Sequence, residues 1–444
     1  VITYQNQRTT VPIRAEGMTD SSHDPNRVML VRPRKSRIYY LRRFFDYPLT
    51  LSLNTMANLG VVRLFKIGVS YIASRLKPVR PEKTLADFFV NRFGSELYRT
   101  FFKSYTEKVW GRPCTEISAE WGAQRIKGLD IGKALKNAIA KPFRKSSGDI
   151  SQTGTETSLI ERFLYPKFGP GQLWETCASI IQEKGGEIRM GWVVEKIRLN
   201  GNKVEAVDCV EVASGRKETL AGDFFISTMP IKELVTAITG KGIPDVVAEV
   251  AKGLEYRDFI TVGVLLDRIR LTDPHEKGLI KDNWIYIQEA DVRVGRMQIF
   301  NNWSPYLVAK EGTVWIGLEY FCDEGDDLWS LSDGEMKALA ALELEKMGMA
   351  LKEDILDSTV IKVEKAYPAY FGSYDRFPVL REWLDGIENL FLVGRNGMHR
   401  YNNQDHSMLT AMQAVENIVV GRTNKDNLWE VNTEKEYHES KDDK

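Results

Sequence analysis

The sequence predicts an α/β protein of intertwined lobes, and three observations carry that prediction. Short apolar runs of strand type alternate with segments of helical periodicity through most of the chain. One such alternation is unusually sharp. "IENLFLVG" reads as a short buried strand, "GRNGMHRYNNQDH" (394–406) as a polar turn, and "SMLTAMQAVENIVVG" as a helix with Met408, Met412, Val415 and Val419 at helical spacing. A strand end feeding a helix start through a polar turn is where α/β proteins hold anionic ligands. Finally, 444 residues are too many for one small core.

Composition narrows the function classes. Lys plus Arg equals Asp plus Glu at 61 each, so no net field draws the chain to nucleic acid or to an acidic membrane. Cys114, Cys177, Cys209 and Cys322 are scattered, without a CxxC pair, as expected of reduced thiols in a cytoplasmic protein rather than a disulfide frame or metal site. No run reaches the ~18 apolar residues of a membrane span. The nearest, "LGVVRLFKIGVSYIASRL" from Leu59, is interrupted by Arg63 and Lys66 and reads as an amphipathic helix. The first residue is valine and no signal peptide is visible, so the natural start is expected to lie elsewhere.

In chain order, residues 1–27 are polar and aperiodic and read as an irregular surface stretch. "SRIYYLRRFFDYPLTL" places two aromatic runs about a basic turn, a hairpin pattern. From Asn54 to Ala140 helical patterns dominate, with Leu85, Phe88, Phe89 and Phe93 on one face. Residues 141–158 are rich in Ser, Thr and Gly and read as a loop. "FGPGQLWETCASIIQEKGG" then runs from a Gly/Pro turn into a helix stopped at Gly185-Gly186, and alternating strands follow. "FFISTMP" supplies a strand and a sharp turn into another helix. Residues 258–322 are strand-rich, a helix is expected near 332–350 and a strand near 358–366, and the charged last twenty residues read as a frayed tail.

The order of "YPKFGPGQLWETCASIIQEKGGEIRMGWVVEKI", "FFISTMP" and "NLFLVGRNG" resembles the flavin-containing amine oxidase and protoporphyrinogen oxidase superfamily. Within it, "FFKSYTEKVWG" (101–111) and "GRNGMHRYNNQD" (394–405) are similar to the UDP-galactopyranose mutase branch. The resemblance runs from about Arg37 to Arg422. It implies an FAD-binding, doubly wound (Rossmann-like) lobe, incomplete at its N-terminus, interleaved with a mixed-sheet and helical substrate lobe. The corresponding segments are a mostly helical cap (1–158), an FAD-lobe segment (159–240), a mixed sheet (241–385), a second FAD-lobe segment (386–422) and a charged tail (423–444).

The cofactor implied is FAD, and the chemistry of residues 394–408 suits it. A reduced flavin carries negative charge at its pyrimidine end, which the partial positive charge of a helix start near Ser407 would favour. Gly394 would let the backbone approach, and Arg395 would bind phosphate or flavin as a planar fork. Asn403, Gln404, Asp405 and Met408 complete this cofactor set; a surface turn with incidental ion pairs is the plainer alternative. Gly169 and Gly171 are expected to form a turn under the flavin, or merely to begin a helix. Val194 resembles a position whose backbone contacts adenine, although any strand valine would fit there.

The substrate implied is a small organic molecule or a nucleotide sugar, with no nucleic-acid partner. Tyr105 and Trp110 resemble residues on the nucleotide-sugar side of the pocket, but core aromatics would show the same spacing. Arg296, Arg400 and Tyr401 join them as substrate residues, and Arg395, Tyr401 and Asp405 as the catalytic set. His399 and His406 lack the neighbours a metal site needs.

Two departures limit the resemblance. No G-x-G-x-x-G precedes a helix anywhere, so the chain is expected to begin beyond the family's pyrophosphate loop. The mutase's arginine-bearing stretch after Trp-Gly is not reproduced, and Arg125 is its only candidate. Three readings follow: an FAD-dependent oxidoreductase, a redox-neutral mutase-like isomerase using reduced flavin, and a flavin-free remnant with a binding role.

Overall fold

The strand and helix signals resolve into separate sheets with helices packed on them. The computed structural model describes residues 2–4, 7–9, 24–47, 49, 52–119, 162–240, 242–273 and 278–431. Much of the sequence-expected helical region beyond residue 119, the loop at 141–158 and Arg125 lie outside them. By internal contacts the described chain divides into two units. One holds the residues up to Ser179 and Phe259–Val363; the other holds Ile180–Asp258 and 364–431.

Most of a seven-stranded mixed sheet belongs to the first unit. Its strand order is Ile355–Gly372, Leu254–Leu266, Val314–Cys322, Arg296–Ile299, Trp284–Ile287, Ser36–Tyr40 and Arg43–Asp46. Trp284–Ile287 runs parallel to Ser36–Tyr40 and antiparallel to Arg296–Ile299. The aromatic hairpin forms as the sequence predicts, with Leu41 and Arg42 as its two turn residues at φ 54° and 56°. Such a turn matches the twist of the flanking strands but normally favours Asn or Gly. The inward side chains, among them Ile260, Val262, Ile285, Met297, Ile316 and Leu318, form one buried core.

Helix Asp333–Lys346 covers part of that core through Met336, Ala340 and Leu344. Ser332 begins it: its hydroxyl accepts from the Glu335 N–H at 3.3 Å, and the Glu335 carboxylate accepts from the Ser332 N–H at 2.8 Å. Helices also fill Leu53–Leu59, Val61–Leu76, Leu85–Phe93 and Ser104–Trp110, joined by a π-helical turn at Tyr98–Lys103. Two elements were not visible in the sequence. Ile2–Tyr4 pairs with Gln7–Thr9 within the stretch expected to be irregular, and Met29–Pro33 pairs antiparallel with Arg162–Pro166.

In the second unit, strands Ile238–Thr239, Trp192–Asn200, Lys203–Glu211 and Lys217–Ala221 form a four-stranded sheet. Separately, Phe225–Ser227 lies parallel to Leu390–Leu392, in register Phe225 to Leu390 and Ser227 to Leu392. Both strands therefore end at the same level, and Leu390, Phe391 and Leu392 belong to this unit's core. The charged tail is not wholly loose. Asp426–Glu430 is a helix whose Leu428 and Trp429 are buried, and Lys425 donates to the Asp385 carbonyl at 3.2 Å.

Candidate functional site

The shared end of those two parallel strands sets out the principal site. From Leu392 the chain passes Val393, whose N–H donates to the Ser227 carbonyl at 3.0 Å, into a short helical turn at Gly394–Gly397. Gly394 has φ 76°, and a side chain there would meet only Ser407 and Thr228, at 3.9 Å. The Gly394 N–H donates to Thr410 Oγ1 at 3.0 Å, tying the turn to the helix beyond. Gly397 has no such room. A Cβ would sit 2.5 Å from the Ser227 carbonyl oxygen and 3.1 Å from Thr228 Cα. Glycine is required because the turn passes directly over the neighbouring strand's end.

The helix that follows runs Gln404–Val419. Asn403 precedes it and donates its N–H to His406 Nδ1 at 3.3 Å, while Ser407 Oγ donates to the Asn402 side chain at 3.1 Å. The first-turn amides of such a helix have no carbonyl one turn back to bond, so a partial positive charge gathers there. Gly394, Asn403, Gln404, Asp405 and Met408 thus stand on one strand–turn–helix, beside Thr228, Asn396 and Ser407. The side-chain oxygen of Asn396 is buried and accepts no hydrogen bond. A buried amide oxygen without a donor is costly, so the turn suits a ligand that brings one.

The two arginines of this segment hydrogen-bond to backbone carbonyls. Arg395 donates from Nε and Nη2 to the Asn402 carbonyl, at 2.9 and 2.6 Å, and from Nη1 to the Ala366 carbonyl at 2.9 Å. Its guanidinium also lies against Tyr367 and Tyr401, which stack at 5.5 Å. In this arrangement Arg395 fastens the loop. Arg400, expected at the substrate, is half-buried and donates to the carbonyls of Trp429 and Val431; the burial lowers its pKa. The backbone N–H of Tyr401 donates to the Tyr370 hydroxyl at 2.7 Å, and Asp405 lies 3.4 Å from His406 Nδ1. Val194 sits in strand Trp192–Asn200 beside an irregularity in its pairing, between Val194 and Lys196. Such bulges re-aim nearby backbone and are frequent beside sites.

The first unit holds the remaining candidates. Gly169 and Gly171 form the entry to helix Pro170–Glu183, with Gly169 at φ 92° and open space around Gly171. Tyr105 stands edge-on to Tyr286 at 5.7 Å, and Tyr286 packs on Tyr47 at 4.4 Å and near Trp284 at 6.4 Å. Trp110 is packed inward, only 6% exposed, which leaves little ring face for stacking on a ligand. Arg296 is likewise buried, its guanidinium 2.6 Å from Glu319 and flanked by Trp284 and Phe321. An adjacent carboxylate already balances much of the charge that a phosphate would need.

Several residues that organise these sites carry no signal in the sequence. Lys108, inside "YTEKVWG", is half-buried and donates to the carbonyls of Ile287, Glu289 and Val294 at 3.4, 3.0 and 3.1 Å. Burial brings its pKa down to about 8. Asn396, Gly397, Thr228 and Ser407 also became apparent only from their neighbours in space. Among the described residues no group of three or more His, Cys, Asp or Glu is placed to hold a metal.

Two parallel strand ends, a glycine turn and a helix N-terminus mark an α/β protein, the class in which ligands are commonly held beyond the carboxyl ends of the strands. The sequence profile of the flavin containing amine oxidoreductase family matches residues 39–418, and the chain belongs to that family. Among solved structures it is similar to a reduced UDP-galactopyranose mutase at 20% identity and TM-score 0.70, over 91% of this chain and 82% of that one. It is similar to a putative protoporphyrinogen oxidase from Exiguobacterium sp. 255-15 at 14% identity and TM-score 0.57, over 88% and 82%. It is also similar to a putrescine oxidase bound to putrescine at 11% identity and TM-score 0.50, over 88% and 83%. At such identities the likeness shows the fold alone, and that fold is in keeping with the flavin containing family.

Proposed function

We propose that this protein is an FAD-dependent oxidoreductase of the amine oxidase type, acting on a small organic or nucleotide-sugar substrate. The observation that carries the reading is the Gly394–Gly397 turn. It lies at the ends of two parallel strands and leads to a helix N-terminus, and it holds a buried Asn396 oxygen in need of a donor. Gly394, Asn396, Asn403, Gln404, Asp405 and Met408 would hold the cofactor from this unit. Bound FAD supplies a two-electron acceptor. The chain's part is to favour negative charge with the helix dipole, to offer Asn396 as an acceptor, and to keep the loop rigid through Arg395 and Tyr401.

A second reading, a mutase-like isomerase that uses reduced flavin without net redox change, rests on a specific feature. Tyr105, Tyr286, Tyr47 and Trp284 form a connected aromatic group, and aromatic faces of this kind suit a uridine or sugar ring. The likeness to a UDP-galactopyranose mutase supports the same reading. With Trp110 and Arg296 both buried, Tyr105 is the aromatic we assign to stacking.

The test separates the two. The protein is expressed from its complete reading frame, and uridine diphosphate and UDP-galactopyranose are titrated calorimetrically. Turnover of the dithionite-reduced protein is followed by chromatography, and oxygen uptake with amines is measured alongside. Sugar isomerisation selects the mutase, and oxygen uptake without nucleotide binding selects the oxidase. A protein that binds no flavin under any of these conditions contradicts both.

A further inference from the structure

Between Asp46 and Glu82 the chain has no acidic residue, yet it carries Arg63, Lys66, Arg75, Lys77 and Arg80. In a protein of zero net charge this is a strong local imbalance. Most of it falls on the helix Val61–Leu76. One side of that helix is firmly docked. Ile67 and Ser74 are buried, Ser70 Oγ lies 3.0 Å from Ser95 Oγ, and it accepts from the Glu96 N–H at 2.9 Å. A Cβ at Gly94 would stand 2.7 Å from the Tyr71 backbone nitrogen, so the contact there is backbone to backbone. The helix cannot roll to hide its other side.

That other side is apolar and exposed. Val61, Val62, Phe65, Val69, Ile72 and Leu76 are 83, 72, 71, 51, 59 and 78% exposed. At 3.6 residues per turn they fall within an arc of about 100°, with Lys66 and Lys77 along one flank and Arg75 along the other. Scattered exposed apolar residues need no explanation, but a contiguous stripe with a cationic rim does.

We propose that this helix is an interfacial anchor that lays the protein on an anionic lipid bilayer. Its apolar face would enter the boundary between headgroups and acyl chains, while the flanking lysines and arginine reach the lipid phosphates. No helix among the described residues is long and apolar enough to cross a membrane, so this one lies along the surface over about 24 Å. A second copy of the chain is the poorer occupant. Two such helices side by side would set cation against cation, and the segment has no carboxylate to pair them. Because the whole chain is neutral, the attraction is confined to this face and does not depend on overall charge.

The full-length protein is sedimented with vesicles of phosphatidylcholine containing about one-third phosphatidylglycerol, and with vesicles of phosphatidylcholine alone. Its oligomeric state is measured without lipid by analytical ultracentrifugation. Wild type should bind the anionic vesicles about ten-fold or more tightly than the neutral ones, and added salt should weaken binding. The double variant Phe65→Ser/Ile72→Ser should lose about ten-fold or more of that binding with its thermal melting unchanged, since both side chains are exposed. Absence of binding by wild type, or equal binding to both vesicle types, overturns the proposal. So does a wild-type dimer that the double variant converts to monomer without any vesicle binding, which would assign the face to a second copy.

Discussion

His399 shows how closely the loop after the glycine turn is specified. It has φ 47°, is fully buried, and places Nε2 3.0 Å from the Ala369 carbonyl, with Tyr256 edge-on at 4.8 Å. Burial depresses its pKa to about 4. The unfolded chain therefore binds a proton between the usual imidazole value and about 4 that the folded protein excludes. Stability from this group is full above pH 6.5 and is lost as pH falls towards 4, by about 3 kcal/mol. Denaturant unfolding at pH 7 and pH 5 should show the loss. His399→Asn, whose side chain tolerates this backbone, should flatten the slope; an unchanged slope would mean the imidazole is not the group responsible. At Gly397 the constraint is steric. Gly397→Ala must push the turn off the Ser227 carbonyl and should cost about 1–3 kcal/mol, read as a lower melting temperature. These demands explain what the sequence concealed. The polar turn was legible because it interrupts two apolar segments. The roles of Arg395 and Gly397 were not, because Ala366 and Ser227 reach them only through the fold.

Among the elements, local chemistry was the readable part. The aromatic hairpin, the helix start at Gly169–Gly171 and its end before Gly185 all follow from nearby residues. The pairing of Met29–Pro33 with Arg162–Pro166 joins segments far apart in sequence, and no local pattern encodes it. The helix Asp426–Glu430 was hidden by its charged surroundings, although burial of Leu428 and Trp429 decides its position. The hairpin also yields a prediction of increased stability. Leu41 is 40% exposed and holds φ 54°, a conformation that a leucine adopts at a cost and an asparagine tolerates. Leu41→Asn should stabilise the protein by about 0.5–1 kcal/mol, seen as a higher melting temperature. A decrease would show that the leucine side chain contributes more packing than its exposure indicates.

For the molecule as a whole, the chain belongs to the flavin containing amine oxidoreductase family, and the turn and helix N-terminus of the second unit are where we propose the cofactor is held. The α/β class and the family were legible from motif order. The substrate was not, since burial of Trp110 and the closeness of Arg296 to Glu319 are set by the packing of the first unit's sheet and helices. The most direct measurement is the FAD content of the protein expressed from its complete reading frame, by absorption and by chromatography of cofactor released on denaturation. Wild type should carry close to one FAD per chain. Gly397→Val, which drives the turn away from the strand ends, should retain at most about a tenth of that while keeping its far-ultraviolet circular dichroism. Equal, full occupancy in both would place the cofactor elsewhere, and a wild type without FAD would contradict the account at its centre.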